Sequence, residues 1–166
     1  MSLLALLHIA GLALLAALLI GAGAQDLRTM RIANGFSLAI AGLFVVWAGV
    51  ELASGRLSLL TLALSLGCAV VVFAVGAAGF AVGALGGGDV KLLAAVSLFA
   101  GPAGLVDFLV VTAIAGGVLG LAILAGAPIG HPAVAGPLRV RLRGGLPYGP
   151  AIAAGGLWVA ATQAMS

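Results

Sequence analysis

Residues 57–82 read LSLLTLALSLGCAVVVFAVGAAGFAV, a run without a single charge, and residues 83–93 continue it as GALGGGDVKLL. A helix needs about 20 apolar residues to cross a hydrocarbon layer about 30 Å thick, and within lipid it must satisfy its own backbone N–H and C=O groups. The stretch from Leu57 to Val82 meets both demands. Runs of the same kind lie on either side of it, at about Ser2 to Ala24, Phe36 to Ala53, Gly104 to Gly126 and Tyr148 to Met165. A shorter run, about Val90 to Ala100, reads as partly re-entrant or as lengthened by the glycines before it. The expected fold class is therefore all-α, a polytopic transmembrane helix bundle of about six spans, with residues 1–166 forming one integral membrane domain.

Composition leads to the same class. Hydrophobic residues make up 64% of the chain and charged residues 7%, where a soluble domain carries about 25% charged residues. The mean hydropathy is +1.36. So few charges can serve the loops of a bundle whose outside faces lipid, but they cannot cover a surface facing water. The 27 glycines suit membrane helices, where small residues let backbones approach closely. A net charge of +3 would fit nucleic acid only if the basic residues formed a face. They are scattered between apolar spans, so no nucleic-acid partner is expected. The single cysteine, Cys68, sits inside an apolar run. It can form no intrachain disulfide or cysteine zinc site, and its expected role is packing.

The basic residues also set the orientation. Arg28 and Arg31 fall in the loop at 25–35, Lys91 follows the glycine run, and Arg139, Arg141 and Arg143 fall in the loop at 127–147, which leaves only Arg56 on the other side. The positive-inside rule makes the richer side cytoplasmic. Six spans then put both termini outside the cytoplasm, in a multi-pass protein of the inner (plasma) membrane. Ala22-Gly23-Ala24 has the small residues of a signal-peptide cleavage site, but no basic residue precedes the apolar run and two arginines follow it. That charge order favours an uncleaved helix. Pro128, Pro132, Pro137 and Pro147 exclude a long helix between the last two spans, and the arginines there read as orientation signals.

Against this topology the four acidic residues separate. Glu51 and Asp107 fall near the outer ends of their spans, where water is in reach. Asp26 ends the first span and Asp89 opens the fourth, at the same depth on the cytoplasmic side. Ionisable groups beside hydrocarbon are costly and usually mark function. Gly86, Gly87 and Gly88 before Asp89 free the backbone of side chains and let another group come close. Taken singly, each aspartate has a plainer reading. Asp89 could be a simple helix N-cap, and Asp26 an interfacial residue paired with Arg28, with Asn34 capping the second span. The conjunction of two aspartates on one face, one behind a glycine run, argues for a catalytic pair. Other chemistry is poorly served: His8 and His131 are not spaced with a serine or cysteine, there is no HExxH, and Gly86 to Lys91 lacks phosphate-loop spacing. No metal or cofactor is expected.

Two carboxylates held close cannot both ionise easily, so the pair shares a proton. The ionised member can take a proton from water while the other donates to a peptide carbonyl, which is aspartic peptidase chemistry. The helix N-terminus at Asp89 favours that residue as the ionised one.

Gly86-Gly87-Gly88-Asp89-Val90-Lys91-Leu92, preceded by Asp26-Leu27-Arg28-Thr29-Met30-Arg31-Ile32-Ala33-Asn34, resembles the type IV prepilin peptidases, aspartic peptidases of the GxGD class. Pro147-Tyr148-Gly149-Pro150 is similar to that family's third landmark, at the start of its last helix. The resemblance implies cleavage of the short basic leader of prepilins or pseudopilins at the cytoplasmic membrane face. Asp26 and Asp89 would be catalytic, Gly86, Gly87 and Gly88 would shape the site, and Lys91 and Asn34 would help to orient it. The chain has Ile32-Ala33-Asn34 where the family often has Ile-Pro-Asn, and it lacks the CxxC-bearing insertion of the bifunctional members. It thus resembles the small, peptidase-only form that serves Flp-type (tight-adherence) pili, with no methyltransferase activity and no zinc. Its expected partners are a prepilin substrate helix and membrane lipid. The rival readings are a transporter or proton-relay subunit, which would hold its carboxylates nearer the membrane midplane, and a non-enzymatic assembly subunit in which Asp89 is only a cap.

Overall fold

The computed structural model describes residues 3–127 and 147–165. Those residues form five helices and no strand: α1 (Leu3–Thr29), α2 (Asn34–Ala53), α3 (Leu59–Ala81), α4 (Gly87–Leu124) and α5 (Gly149–Ala164). The first four are long and apolar enough to cross a membrane. The expectations that concern His131, Arg139, Arg141 and Arg143 lie outside the described residues.

The fourth and fifth runs of the sequence share one element with a sharp break. Gly101 takes φ 58° and ψ −173°, and Pro102 follows it. Proline removes an N–H from the helical ladder and disfavours helical ψ in the residue before it, and glycine alone adopts positive φ without strain. The neighbours of α5 show what the break does. Along residues 87–100, Val96 packs at Gly156 and the Phe99 carbonyl accepts from the Gln163 side chain. Along residues 102–124, Phe108 packs at Gly155 and Gly116 meets Tyr148. The two halves of α4 therefore run along α5 in opposite directions, and the chain turns back at Gly101.

The core is a single apolar cluster shared by α1, α2, α4 and α5. Leu15, Leu19, Ile40, Leu92, Val96, Phe108 and Ile152 are all but sealed from solvent. Gly156 lets α5 lie directly on two other helices, because a Cβ there would sit 2.7 Å from the Leu19 side chain and 3.0 Å from that of Val96. Outside the core the surface remains apolar: Leu59, Val70, Val82 and Leu121 are all at least 68% exposed. In water such a surface would associate, whereas in a bilayer it is the face the solvent requires. The chain is a multi-pass membrane protein, all-helical among the described residues.

Glu51 departs from the expected interfacial position. It is buried, and its carboxylate accepts from the Arg56 guanidinium at 2.7 Å through both oxygens and lies 2.8 Å from His8 Nδ1. The other His8 ring nitrogen lies 3.2 Å from the Gln163 carbonyl, so this cluster ties α1, α2 and α5 together at one end of the bundle. Asp107 is exposed, as expected.

Candidate active site

At the other end, α1 runs past its apolar stretch and carries Asp26 at the start of its last turn, inside the helix. The chain leaves α1 through Met30, at φ 53°, whose N–H donates to the Asp26 carbonyl at 2.8 Å. The Gln25 side chain then accepts from the Ala33 N–H at 3.0 Å, which closes a tight connection to α2. The N-cap of α2 is Ala33, so Asn34 does not have the capping role its residue type suggested. Asn34 is the first helical residue, and its side-chain oxygen accepts from Lys91 Nζ at 3.0 Å across the face of the bundle.

The Asp26 side chain is 4% exposed, and its partner is a backbone group 123 residues away: Gly149 N–H donates to Oδ2 at 2.8 Å. Gly149 is the first residue of α5, where N–H groups have no partner within the helix and the peptide dipoles favour negative charge. A side chain cannot stand there, because a Cβ on Gly149 would lie 2.6 Å from Asp26 Cβ and 2.9 Å from Oδ2. The ion pairs formed by the described residues are those of Glu51 with His8 and Arg56, so Asp26 is held by α5 and not by Arg28.

Asp89 occupies the third position of α4, half-buried, and reaches back so that its Oδ2 accepts from Gly86 N–H at 3.2 Å. The two carboxylates are close enough for the charge on Asp26 to act on Asp89. Each aspartate is thus gripped by one backbone N–H at a helix N-terminus, Asp89 by its own helix and Asp26 by α5. The dipole argument that favoured Asp89 as the ionised partner therefore applies to both and no longer ranks them.

The three glycines before Asp89 differ in what they face. A Cβ on Gly86 would sit 2.6 Å from Asp89 Oδ2, and one on Gly88 would meet the Ile32 carbonyl oxygen and Cβ at 3.1 Å. A Cβ on Gly87 would touch only the Phe80 ring, at an ordinary 3.5 Å. Gly86 and Gly88 thus face the site and the α1–α2 connection, and Gly87 faces α3. In the sequence Gly149 is part of a landmark without an assigned role, and Gln25 has none. The only sequence signal for either was adjacency, Gln25 to Asp26 and Gly149 to the Pro-Tyr-Gly-Pro turn. Among the described residues no three His, Cys, Asp or Glu side chains converge as metal ligands would.

Two carboxylates at one end of the bundle, each held in one orientation by a backbone N–H, have the parts needed for general acid–base attack of water on a peptide bond. Comparison with known proteins gives the arrangement a family. No curated protein and no solved structure matches the chain significantly. A model of the type IV leader peptidase family matches residues 13–121, a stretch that includes Asp26, the glycine run and Asp89 and stops short of Gly149. The chain belongs to the type IV leader peptidase family.

Proposed function

We propose that the chain is an aspartic endopeptidase that removes the basic leader from type IV prepilins or pseudopilins of the Flp type at the cytoplasmic face of the inner membrane. Asp26 and Asp89 are its catalytic residues. The observation that supports the reading is the placement of both carboxylates at one end of the bundle, each oriented by a helix-terminal N–H. In the proposed reaction the ionised member of the pair takes a proton from water, and the resulting hydroxide attacks the scissile carbonyl carbon. The protonated member donates a hydrogen bond to the carbonyl oxygen as charge develops there. Collapse of the tetrahedral intermediate breaks the C–N bond, and the proton taken from water passes to the leaving amine. The pair acts as a unit, so base and acid are properties of the dyad.

The proposed setting follows from the charges. The bundle crosses the membrane six times, the two halves of α4 counting separately, with both termini outside the cytoplasm. Arg28, Arg31 and Lys91 then lie on the cytoplasmic side with the dyad, as the positive-inside rule asks. A basic leader fits an acidic pair on that face.

The test is co-expression with a leader-bearing prepilin, with leader removal read as a mobility shift on a gel. Asp26→Ala and Asp89→Ala should each reduce the cleavage rate by about 10²–10⁴-fold, the usual contribution of a positioned acid or base. Cleavage that persists in both variants would rule out the dyad.

A further inference from the structure

A groove of about 550 Å³ starts at the Asn34–Lys91 hydrogen bond and runs away from the aspartates along the bundle. Helices α2 and α3 form its sides and the first half of α4 its floor, since α2 and α3 each pack on α4 and hardly on one another. On α2 it is lined by Asn34, Ser37, Leu38 and Ala41, the i, i+3, i+4, i+7 stripe of one helix face. The same spacing recurs from Leu66 on α3 and from Lys91 on α4. Each wall is therefore about two helical turns, or roughly 11 Å, long. Three such faces around one gap are the surroundings of a further helix in a bundle, and the alanines among them permit close backbone approach.

Two polar features distinguish this gap from a cleft suited to acyl chains. Ser37 is 8% exposed and its hydroxyl has no hydrogen-bond partner among the described residues. A hydrocarbon chain leaves that hydroxyl unsatisfied, whereas a peptide segment brings acceptors to it. At the mouth, the Lys91 ammonium is met by the neutral Asn34 amide and, among the described residues, by no carboxylate, so its charge is open to an anion. A helix that enters the groove by its N-terminus brings partial positive charge to this point, and an acidic side chain in its first turn would offset both charges.

We infer that the groove receives the apolar helix of the protein being cleaved, about two turns of it beginning just beyond the scissile bond. The inference rests on the leader-peptidase reading and adds to it where the retained part of the substrate lies. Its test uses a single-pass probe protein, a basic leader followed by an apolar spanning helix, co-expressed with the full chain. A photoreactive residue at Leu66, on the groove face of α3, should cross-link to the probe. The same residue at Val75, on the opposite face of α3 and 69% exposed, should not. Ala41→Leu and Ala94→Leu, which fill the groove from partly exposed positions, should each lower kcat/KM about tenfold through KM. Ala78→Leu, exposed and outside the groove, should leave it unchanged. Ser37→Ala adds no bulk and should raise KM about threefold, the loss of one hydrogen bond. Normal cleavage by the filled variants, or cross-links from Leu66 only to lipid or to a second copy of this chain, would overturn the groove assignment and leave the peptidase reading standing. No cleavage of the probe by the unmodified chain would overturn both.

Discussion

Gly149→Ala adds one methyl group at the point where α5 meets Asp26. Gly149 is not among the residues of positive φ, so alanine suits its backbone and the effect is steric alone. The new Cβ would lie 2.6 Å from Asp26 Cβ, 3.0 Å from Cγ and 2.9 Å from Oδ2. Carbon atoms rest at about 3.5–4.0 Å, and Asp26 Cβ does not move when its carboxylate rotates, so α1 and α5 must part by roughly 1 Å. That movement breaks the 2.8 Å bond from the Gly149 N–H. A hydrogen bond to a charged group contributes about 1.5–3 kcal/mol, and 1.4 kcal/mol is about a factor of ten in rate. The expected loss is therefore about 10–150-fold, and it falls on kcat because the disturbed group is the one proposed to act on water. The assay is the time course of leader removal in isolated membranes at matched amounts of protein, with detergent-extracted enzyme checked for a single folded species. A folded Gly149→Ala protein that cleaves at the unmodified rate would refute the claim that α5 orients Asp26.

The glycine run offers an internal comparison. Gly88→Ala should slow cleavage by about tenfold, because its methyl displaces the Ile32 backbone, while Gly87→Ala should be nearly silent because it makes only ordinary contact with Phe80; equal rates for the two variants would contradict the separate roles assigned to them. Gly101→Ala forces an L-residue to φ 58° beside Ser65, at a cost of about 1–3 kcal/mol in backbone strain, and should lower the thermal unfolding midpoint in detergent by several degrees; an unchanged midpoint would refute the break as a glycine-dependent turn. Glu51→Gln weakens the cluster with His8 and Arg56 at the far end of the bundle. It should also lower that midpoint, with the cleavage rate per folded molecule unchanged, and a selective loss of rate would show that the two ends are coupled.

The legible part of the fold was the part written in contiguous composition. The long apolar runs became α1, α2 and α3, and the interruption at Gly101-Pro102 appeared where two runs separated, because lipid requires apolar outsides and proline breaks helical ladders. Helix ends were less legible. Gln25-Asp26-Leu27-Arg28 is polar enough to read as a loop, yet α1 continues to Thr29 and puts Asp26 inside a helix. A charge near a helix end is usually wet, yet Glu51 is buried. Its burial depends on His8, 43 residues away, and no local pattern announces such a partner. Asn34 has the residue type of a cap, but the Lys91 ammonium draws its amide across the bundle and Ala33 takes the cap position. The aspartates themselves were legible from charge topology and the glycine run. Their backbone donors differed: Gly86 lies three residues from Asp89, whereas Gly149 is brought to Asp26 only by the packing of the last helix.

That last contact sets a timetable. Synthesis runs from the N-terminus, and Asp26 enters the membrane with the first helix, but the N–H that holds its carboxylate belongs to a residue made 123 positions later. Until α5 has inserted between α1 and both halves of α4, Asp26 has no fixed orientation. A nascent chain that lacks α5 carries both aspartates without the contact that orients Asp26, so on the proposed reading its activity waits for that helix to dock.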